Sequence, residues 1–305
     1  LDLVWLGRYR EGEDNARCGF NALREIGLLD SQGVLRGMAY AKGIQGLRED
    51  VDSLFQQSIE VAKRLNYVQG EGVSLGFWGK IQARQGNIGV ARQSLSSSLE
   101  IKQRTNDKNG IIEVLFWIGE LEEEQGELKA AEDAYLQCIE QLSARRHYLC
   151  GAITGLFRVK YLQGDYSKLP PLLANAEQLA QQYEYSDHLA SLRLTQGHIA
   201  WDGRLDAWGV GFDAALHHYQ QALVYALRFN RFLLDEVLAG RSQGTPLQPV
   251  IPTCLAHGEE GRRMLIALAD WWQTGVNDVG VARPDTISPL PEGIPLLEAE
   301  RIARE

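Results

Sequence analysis

Cysteine is scarce in this sequence, with four residues among 305, and no two of them form a C-x-x-C pair. Scattered cysteines in a long chain favour buried thiols in a reducing compartment, so we expect a cytoplasmic protein. Cys18 and Cys138 fall on apolar faces of predicted helices, and we expect both to be small core residues. No apolar run approaches the ~20 residues that cross a bilayer, so no membrane partner is expected.

Basic runs and metal-binding motifs are also missing. The net charge of -9 repels phosphate backbones, which argues against nucleic acid as a partner. The six histidines form neither H-x-x-x-H nor H-E-x-x-H, so no metal site is expected. His147 and Cys150 lie three residues apart on a predicted helix, but no third group orients them for catalysis.

Acidic residues form one short run, Glu122, Glu123 and Glu124. We interpret it as a solvated helix face, because nothing in the sequence raises the pKa of one carboxylate above the others, as a catalytic acid and base would require. No G-x-S-x-G elbow occurs either. The sequence therefore predicts a protein that is not an enzyme, with no catalytic residue and no cofactor.

Glycine is locally abundant in YVQGEGVSLGFWGKIQARQGN, which runs from Tyr67 to Asn87. The spacing G-x-G-x-x-x-G resembles a dinucleotide-binding turn, but such a turn follows a strand, and here a predicted helix precedes it. Lys80 follows Gly79 as in a phosphate loop, but Ile81 stands where that loop needs serine or threonine. A nucleotide site is therefore not expected, and another feature must explain the glycines.

That feature is an internal repeat of about forty residues. Glycines recur at nearly constant spacing in similar contexts, at Gly7, Gly46, Gly86, Gly126, Gly164 and Gly203. Nine residues after the glycine stands a large apolar or aromatic residue in four copies, Phe55, Leu95, Tyr135 and Leu173. Twelve residues after it stands a small residue, Ser58, Ser98, Cys138 or Ala176. Each copy is predicted to be helix A, a tight turn with glycine at the C-cap, and helix B.

The pattern resembles the tetratricopeptide repeat, in which a bulky residue and glycine on helix A precede a turn glycine, alanine, an aromatic residue and a small residue. The resemblance covers roughly residues 1–230, and two copies match this order well, Trp78-Gly79, Gly86, Ala91, Leu95 and Ser98, and Ile118-Gly119, Gly126, Ala131, Tyr135 and Cys138. A period near forty rather than 34 indicates an elongated variant. The resemblance implies an all-α fold, a right-handed superhelix or solenoid of helix-turn-helix repeats.

The chain changes character near Gly240, because seven of its nine prolines lie from Pro246 onward. We predict a repeat array over residues 1–239 that begins within a repeat, a Pro/Gly-rich linker over 240–254, and a helical cap with a coil-rich tail over 255–305. One of Trp271 and Trp272 is expected to be buried in the cap, and the other is either part of the cap or a partner contact.

The tetratricopeptide resemblance implies that helix A residues opposite helix B line a binding groove. Counting back from each turn glycine places eleven residues there: Arg36, Tyr40, Lys80, Arg84, Phe116, Glu120, Glu123, Arg158, Tyr161, Arg193 and Trp201. Arginines with interleaved aromatic residues are typical of interface anchors. We expect Arg36, Lys80 and Arg84 to contact acidic groups of a partner, and Glu120 and Glu123 to contact basic ones.

Two functions are consistent with this reading. The first is a non-catalytic scaffold that binds a protein or peptide in the groove. The alternative is a ligand- or partner-sensing regulatory domain of a larger signalling protein, because elongated repeats are similar to the carboxy-terminal superhelix of bacterial STAND-type signalling ATPases. That alternative implies an NTPase domain elsewhere in the full-length chain as a partner, and the start of the sequence within a repeat is expected of such a segment.

Overall fold

The computed structural model describes residues 32–141, 145–229, 231–239, 249–274 and 295–304, with a few single positions between 14 and 21. In these ranges the secondary structure is α-helix with two 3-10 turns, and no β-strand occurs. The helices pack in consecutive pairs, which confirms the predicted all-α helical-repeat fold. The chain divides into two units, Leu1–Leu149 and Cys150–Glu305.

The first unit is built from helical hairpins. Its helices are α1 (Gln32–Ile44), α2 (Val51–Arg64), α3 (Val68–Arg84), α4 (Ile88–Arg104), α5 (Lys108–Glu124) and α6 (Leu128–Glu140), and α7 (Arg146–Gln163) begins at its end and continues into the second unit. The hairpins are α1–α2, α3–α4 and α5–α6. The first helices of neighbouring hairpins also touch, α1 with α3 and α3 with α5. Side chains on these first helices can therefore interact from one repeat to the next.

The turn glycines behave as the repeat predicts. Five of them have a left-handed backbone with φ between 63° and 80°, namely Gly46, Gly86, Gly126, Gly164 and Gly203. Glycine adopts this conformation without the steric conflict that a Cβ atom introduces, so it ends helix A and reverses the chain. The turn between hairpins repeats as well, because Asn66 and Asn106 occupy equivalent positions with φ of 51° and 52°.

The other glycines of the Tyr67–Asn87 stretch lie inside helix α3, which excludes a dinucleotide turn there. A Cβ atom on Gly79 would stand 2.8 Å from Leu95 Cγ of helix α4. Gly119 has the same relation to Tyr135, whose ring carbon would lie 2.4 Å from the added Cβ. These glycines therefore allow the two helices of a hairpin to approach closely.

The second unit continues with α8 (Leu169–Gln182), α9 (Ser186–Asp202), α10 (Phe212–Phe229), α11 (Arg231–Ala239), α12 (Val250–Ala256), α13 (Gly258–Thr274) and α14 (Pro295–Arg304). Pro170 and Pro171 lie in the first turn of α8, where no intrahelical donor is lost. The insertion between α9 and α10 contains a 3-10 turn, Asp206–Trp208, and the Trp208 ring packs 5.8 Å from the Phe157 ring. The extra residues therefore cover part of the core.

The proline-rich segment differs from the prediction at its end. Residues 240–248 of the predicted linker lie outside the described residues, but helix α12 begins at Val250, within that linker. Pro249 precedes the helix with an extended backbone, and Pro252 lies in its first turn. Proline is tolerated at both positions, so the segment ends one helix and starts another. The predicted coil at 275–294 also lies outside the described residues.

The residues of the predicted cap share a core with helix α10. Trp272 is buried in the same apolar cluster as Tyr219 and Leu223, and Leu265 and Leu268 join them. Trp271 is half-buried at the edge of this cluster, and its ring meets Trp272 edge-on at 6.0 Å. The expectation that one of the two tryptophans is buried is therefore confirmed for Trp272.

Cysteine positions correct one prediction. Cys138 is buried as expected, and so are Cys150 and Cys254, but Cys18 is exposed. The expectation that Cys18 is a core residue was therefore wrong. None of the helices in the described ranges has both the length and the apolar character that a membrane crossing requires.

Candidate functional site

The eleven residues predicted for the groove divide by burial. Four are buried: Tyr40, Phe116, Glu123 and Arg158. The other seven are half-buried: Arg36, Lys80, Arg84, Glu120, Tyr161, Arg193 and Trp201. None of the eleven is fully exposed, so each makes contacts inside its own unit that limit what it can offer to a partner.

Lys80 and Glu120 join neighbouring repeats. They occupy the same repeat position, forty residues apart on α3 and α5, and their side chains form an ion pair with a hydrogen bond from Lys80 Nζ to Glu120 Oε2. The two side chains are only 15% and 17% exposed, so solvent screens the pair weakly. These two charges therefore satisfy each other, whereas the sequence assigned them separately to acidic and basic groups of a partner.

The acidic run on α5 is not a solvated face, and that prediction was wrong. Glu122 and Glu123 are buried and Glu124 is half-buried. Successive helix residues point about 100° apart, so the three carboxylates meet different helices. Glu122 accepts two hydrogen bonds from Arg92 of α4, at 2.7 and 2.6 Å. Glu123 accepts a hydrogen bond of 2.8 Å from the Tyr135 hydroxyl of α6.

Glu124 differs from both neighbours, because no hydrogen bond or ion pair to it forms within the described ranges. It faces α3, where Lys80 and Arg84 lie close enough to lower its pKa, and Glu120 and Glu123 act in the opposite direction. Burial is the largest influence and raises the pKa of Glu124 to about 7. One carboxylate of the run therefore titrates near neutrality, contrary to the sequence interpretation. We call Lys80, Arg84, Glu120, Glu123 and Glu124 the α3–α5 charge cluster.

Glu124 was missing from the predicted groove, although the sequence held a signal for it. It lies forty residues after Arg84, at the same repeat position, and Arg84 was included. The repeat alone could therefore have placed Glu124 on the same face. Its lack of a partner could not have been found in this way, because that depends on which carboxylates Lys80, Arg92 and Tyr135 contact.

Arg36 lies at the other end of the predicted set in this unit. Its guanidinium carbon is 5.9 Å from the centre of the Phe77 ring, and Phe77 meets the Tyr40 ring edge-on at 4.7 Å. The Arg36 Nε atom is buried without a hydrogen-bond partner. Burial lowers the pKa of Arg36 from its ordinary value, while Tyr67 and Glu113 raise it. A guanidinium held on an aromatic ring in this way retains hydrogen-bond donors for a carboxylate.

Phe116 belongs to an aromatic layer rather than to an open surface. Its ring lies 6.3 Å from the Tyr135 ring and 5.7 Å from the Tyr148 ring. The Tyr148 hydroxyl donates a hydrogen bond to Glu113, which is itself buried. Burial raises the pKa of Glu113, and the hydrogen bond from Tyr148 opposes this shift. These residues hold the first helices of neighbouring repeats together.

In the second unit, three of the predicted residues bind side chains of their own unit. The Nη1–H of Arg158 donates a hydrogen bond of 2.9 Å to the Ser191 hydroxyl, which ties α7 to α9. The Tyr161 hydroxyl donates one of 2.6 Å to Asp202. The third residue, Trp201, stacks on the His257 ring at 4.6 Å. Arg158 and Tyr161 therefore join α7 to α9, as Lys80 and Glu120 join α3 to α5.

Arg193 is also engaged. Its Nη1 atom lies 2.5 Å from Glu177 Oε1 of α8 and 2.5 Å from Gln196 Oε1, one turn further along α9. The Nε atom of Arg193 is buried without a hydrogen-bond partner. In this unit the predicted residues are thus held mainly by contacts between helices, and the first unit offers the more available charges.

Buried thiols offer little reactivity. Burial raises the pKa of Cys138, Cys150 and Cys254 to about 12 each. The thiolate is the nucleophilic form of cysteine, so these side chains are poorly suited to covalent catalysis at neutral pH.

Of the eleven predicted residues, those of the first unit with charged side chains are Arg36 and the members of the α3–α5 charge cluster other than Glu124. No protein-family model matches the chain, and no curated protein is significantly similar to it.

Proposed function

We propose that the protein is a non-catalytic binding scaffold of the tetratricopeptide type, which holds a peptide segment of a partner protein against the face formed by α1, α3 and α5. The forty-residue period and the paired helices support the assignment to this type. The proposal restricts the predicted groove to the first unit. Arg36 of that unit has no ion pair within the described residues, whereas Arg158, Tyr161 and Arg193 of the second unit each bind a side chain of their own unit.

The observation that carries the proposal is the state of Arg36. Its guanidinium is mostly removed from water, rests on the Phe77 ring, and has no carboxylate partner in the described part of the chain. Removing an ionised group from water without a partner is unfavourable, so the binding of an anion to such an arginine lowers the free energy of the protein. Arginine and aromatic side chains in partly desolvated positions are also the residues that dominate binding energies at protein interfaces.

The expected ligand is therefore a peptide segment with an Asp, Glu or terminal carboxylate that reaches Arg36. A guanidinium can donate two parallel hydrogen bonds to such a group, which fixes the orientation of the peptide. Lys80 and Glu120 contribute less to recognition than the sequence predicted, because a partner would first have to break their ion pair.

Cytoplasmic action belongs to the same proposal. The three buried cysteines are free thiols with raised pKa values, as expected of a protein that functions in a reducing compartment. Their high pKa values also support a role in binding rather than in thiol-dependent catalysis.

The test is a peptide array of varied charge, screened with the full chain. Peptides that bind are then measured by fluorescence anisotropy with the wild-type protein, with Arg36→Gln and with Arg104→Gln. Arg104 lies exposed on α4 and serves as a matched control for the loss of one positive charge. We expect acidic peptides to bind Arg36→Gln at least about tenfold more weakly, because a charge-assisted hydrogen bond is worth about 1.5–3 kcal/mol.

Arg104→Gln should retain wild-type affinity for the same peptides. Thermal unfolding should show that Arg36→Gln is folded, since the substitution removes a desolvated charge rather than a satisfied one. If the array yields no bound peptide, or if the bound peptides have equal affinity for Arg36→Gln and the wild-type protein, the proposed function is wrong.

A further inference from the structure

Asparagine is followed by glycine at one place in the sequence, Asn109-Gly110. The structure places this pair in the first turn of α5, which begins at Lys108, and Asn109 is exposed to water. Glycine has no side chain to shield its backbone nitrogen, and this nitrogen is the group that can attack the side-chain amide of a preceding asparagine. The pair is therefore chemically suited to spontaneous deamidation.

The packing around position 110 requires glycine there. Lys102 of α4 is only 3% exposed, and its Nζ atom lies 3.2 Å from Asp107 Oδ2. A Cβ atom on Gly110 would collide with both of these atoms. The ion pair therefore lies against the Gly110 backbone, and it excludes the larger residues that would slow attack on Asn109.

The same aspartate also holds the attacking nitrogen. The N–H of Gly110 donates a hydrogen bond of 2.9 Å to Asp107 Oδ1, so Asp107 is the N-cap of α5. The N–H of Ile111 donates to the Asp107 carbonyl at 2.9 Å and closes the first turn of the helix. Attack requires the Gly110 nitrogen to lose its proton and to reach the side-chain carbon of Asn109. The cap hydrogen bond and the closed turn therefore have to break first.

We propose that Asn109 is a deamidation site whose rate is controlled by the Asp107 cap. When the first turn of α5 opens, the Gly110 nitrogen forms a bond to Asn109 Cγ, and the bond from Cγ to Nδ2 breaks. The Nδ2 group leaves as ammonia with the proton that the Gly110 nitrogen gave up, and a cyclic succinimide remains. Water, the only co-reactant, then adds to one of the two succinimide carbonyl carbons, and the bond from that carbon to nitrogen breaks. The product at position 109 is aspartate or isoaspartate, depending on which carbonyl is hydrolysed.

The two products affect the helix differently. Aspartate in the first turn is favourable, because its negative charge lies near the positive end of the helix dipole. Isoaspartate adds one carbon atom to the backbone, which displaces Gly110 from the Asp107 carboxylate and from Lys102. Lys102 is buried, and burial of an ammonium group without its carboxylate is unfavourable. The isoaspartate form therefore loses the first turn of α5, and the contact between α4 and α5 is weakened with it.

The test follows deamidation of the full chain by mass spectrometry. The wild-type protein, Asp107→Ala and Asp107→Ser are incubated at pH 8 and digested with pepsin at low pH, and the peptides that contain position 109 are quantified. Both substitutions remove the carboxylate that pairs with Lys102, but serine keeps an oxygen acceptor at the N-cap and alanine does not. The two variants therefore differ in the cap alone. Circular dichroism shows whether each protein is folded, and a parallel incubation in urea gives the rate for the unfolded chain.

We expect Asp107→Ala to deamidate at Asn109 about fivefold faster than Asp107→Ser, because loss of an N-cap shifts the opening of a first turn by about that factor. The folded wild-type protein should react more slowly than the same chain in urea, and in urea the three proteins should react at the same rate. Chromatography should separate isoaspartate and aspartate forms of the modified peptide. Asn87, which precedes the bulky Ile88, should react more slowly than Asn109 in urea.

Equal rates in folded Asp107→Ala and Asp107→Ser would show that the cap does not control the reaction, and the inference would be wrong. The inference also fails if Asn109 stays unmodified in urea, or if the folded wild-type protein reacts as fast as the unfolded chain. If Asp107→Ala does not fold, the comparison of the wild-type protein with and without urea decides the question. None of these results depends on peptide binding at Arg36, so the inference and the proposed function stand or fall separately.

Discussion

The Ser98 hydroxyl donates a hydrogen bond of 2.6 Å to the backbone carbonyl of Gly72. The same relation, across 26 residues, recurs in the neighbouring hairpins, from Ser58 to the carbonyl of Gln32 at 2.8 Å and from the Cys138 thiol to that of Ile112 at 3.5 Å. A small polar side chain on the second helix therefore ties each hairpin to the first turns of the first helix. The side chain at this position must be small, because a larger one would prevent the two helices from approaching this closely.

Substitution of Ser98 by alanine tests this tie. Ser98 is fully buried, so we expect Ser98→Ala to lower the free energy of unfolding by about 1 kcal/mol through loss of one hydrogen bond. Ser98→Cys should lose less, because Cys138 fills the equivalent position. Urea denaturation measures both, and Ser96→Ala, at an exposed position of the same helix, is the control that should leave stability unchanged. Equal losses at Ser96 and Ser98 would contradict the assignment.

The hairpins could be predicted because every copy has the same local requirements. The turn needs a glycine with positive φ, and the contact between the two helices needs a small residue. Both residue types therefore recur about every forty residues in the sequence. Helix α12 was missed because proline was taken as a general helix breaker, whereas Pro249 and Pro252 lie at the start of a helix, where proline is compatible with helical structure.

A second prediction concerns the close approach at Gly119. An added Cβ would lie 2.4 Å from a ring carbon of Tyr135, which is fully buried and bound to Glu123 and therefore cannot move aside cheaply. We expect Gly119→Ala to destabilise the protein by about 1–3 kcal/mol, despite the higher helix propensity of alanine. Thermal or urea unfolding measures the change.

Gly89 provides the matched control. It lies exposed near the start of α4, and an added Cβ would meet no atom within 4 Å. Gly89→Ala should therefore leave stability unchanged or raise it by up to about 1 kcal/mol. Destabilisation by both substitutions, or by neither, would show that the Gly119–Tyr135 contact does not set the spacing of the hairpin.

The candidate site was less predictable than the fold. The sequence placed Lys80 and Glu120 at equivalent repeat positions, but an ion pair between repeats requires a distance that periodicity does not contain. The same holds for the acidic run, where one-residue steps direct Glu122, Glu123 and Glu124 toward different helices. Which charges remain available is thus decided by side-chain contacts between repeats, and these are specific to each pair of helices.

A third prediction measures the ion pair between repeats. A double-mutant cycle with Lys80→Met and Glu120→Gln should give a coupling energy of about 1–3 kcal/mol, between the values typical of exposed and buried pairs. The control cycle uses Lys129 and Asp133 on α6, whose side chains are 74% and 54% exposed and should show little coupling. Similar coupling in the two cycles would mean that burial does not strengthen the Lys80–Glu120 pair.

A fourth prediction uses the turn between α8 and α9. Glu184 has φ of 57°, a left-handed conformation that is unfavourable for a residue with a long side chain. Glu184→Gly should therefore raise the free energy of unfolding by about 0.5–1 kcal/mol, measured by urea denaturation. The comparison is Asn106→Gly, at φ of 52°, where the gain should be smaller because asparagine tolerates this conformation. A larger gain at Asn106 would argue against backbone strain as the cause.

The last prediction concerns the pH dependence that Glu124 imposes on stability. Burial raises its pKa from an ordinary 4.5 to about 7 in the folded protein, so the folded state holds the proton more tightly than the unfolded chain. The stabilisation from this proton is present below pH 4.5 and is lost as the pH rises to about 7. At pH 8 the ionised carboxylate destabilises the folded state because it is partly buried, and the neutral side chain of glutamine does not have this effect.

Glu124→Gln should therefore have wild-type stability near pH 4.5 and be more stable than the wild-type protein at pH 8. The shift corresponds to a gain of about 1–3 kcal/mol, because the half-buried side chain is partly screened by solvent. Urea denaturation of both proteins at the two pH values measures the difference. Glu100→Gln, at a solvated position, should show no pH-dependent difference from the wild-type protein. Glu124→Gln could instead prove less stable than the wild-type protein at pH 8. In that case the attraction of Lys80 and Arg84 for the ionised Glu124 carboxylate would exceed the cost of burying its charge, and the prediction would be wrong.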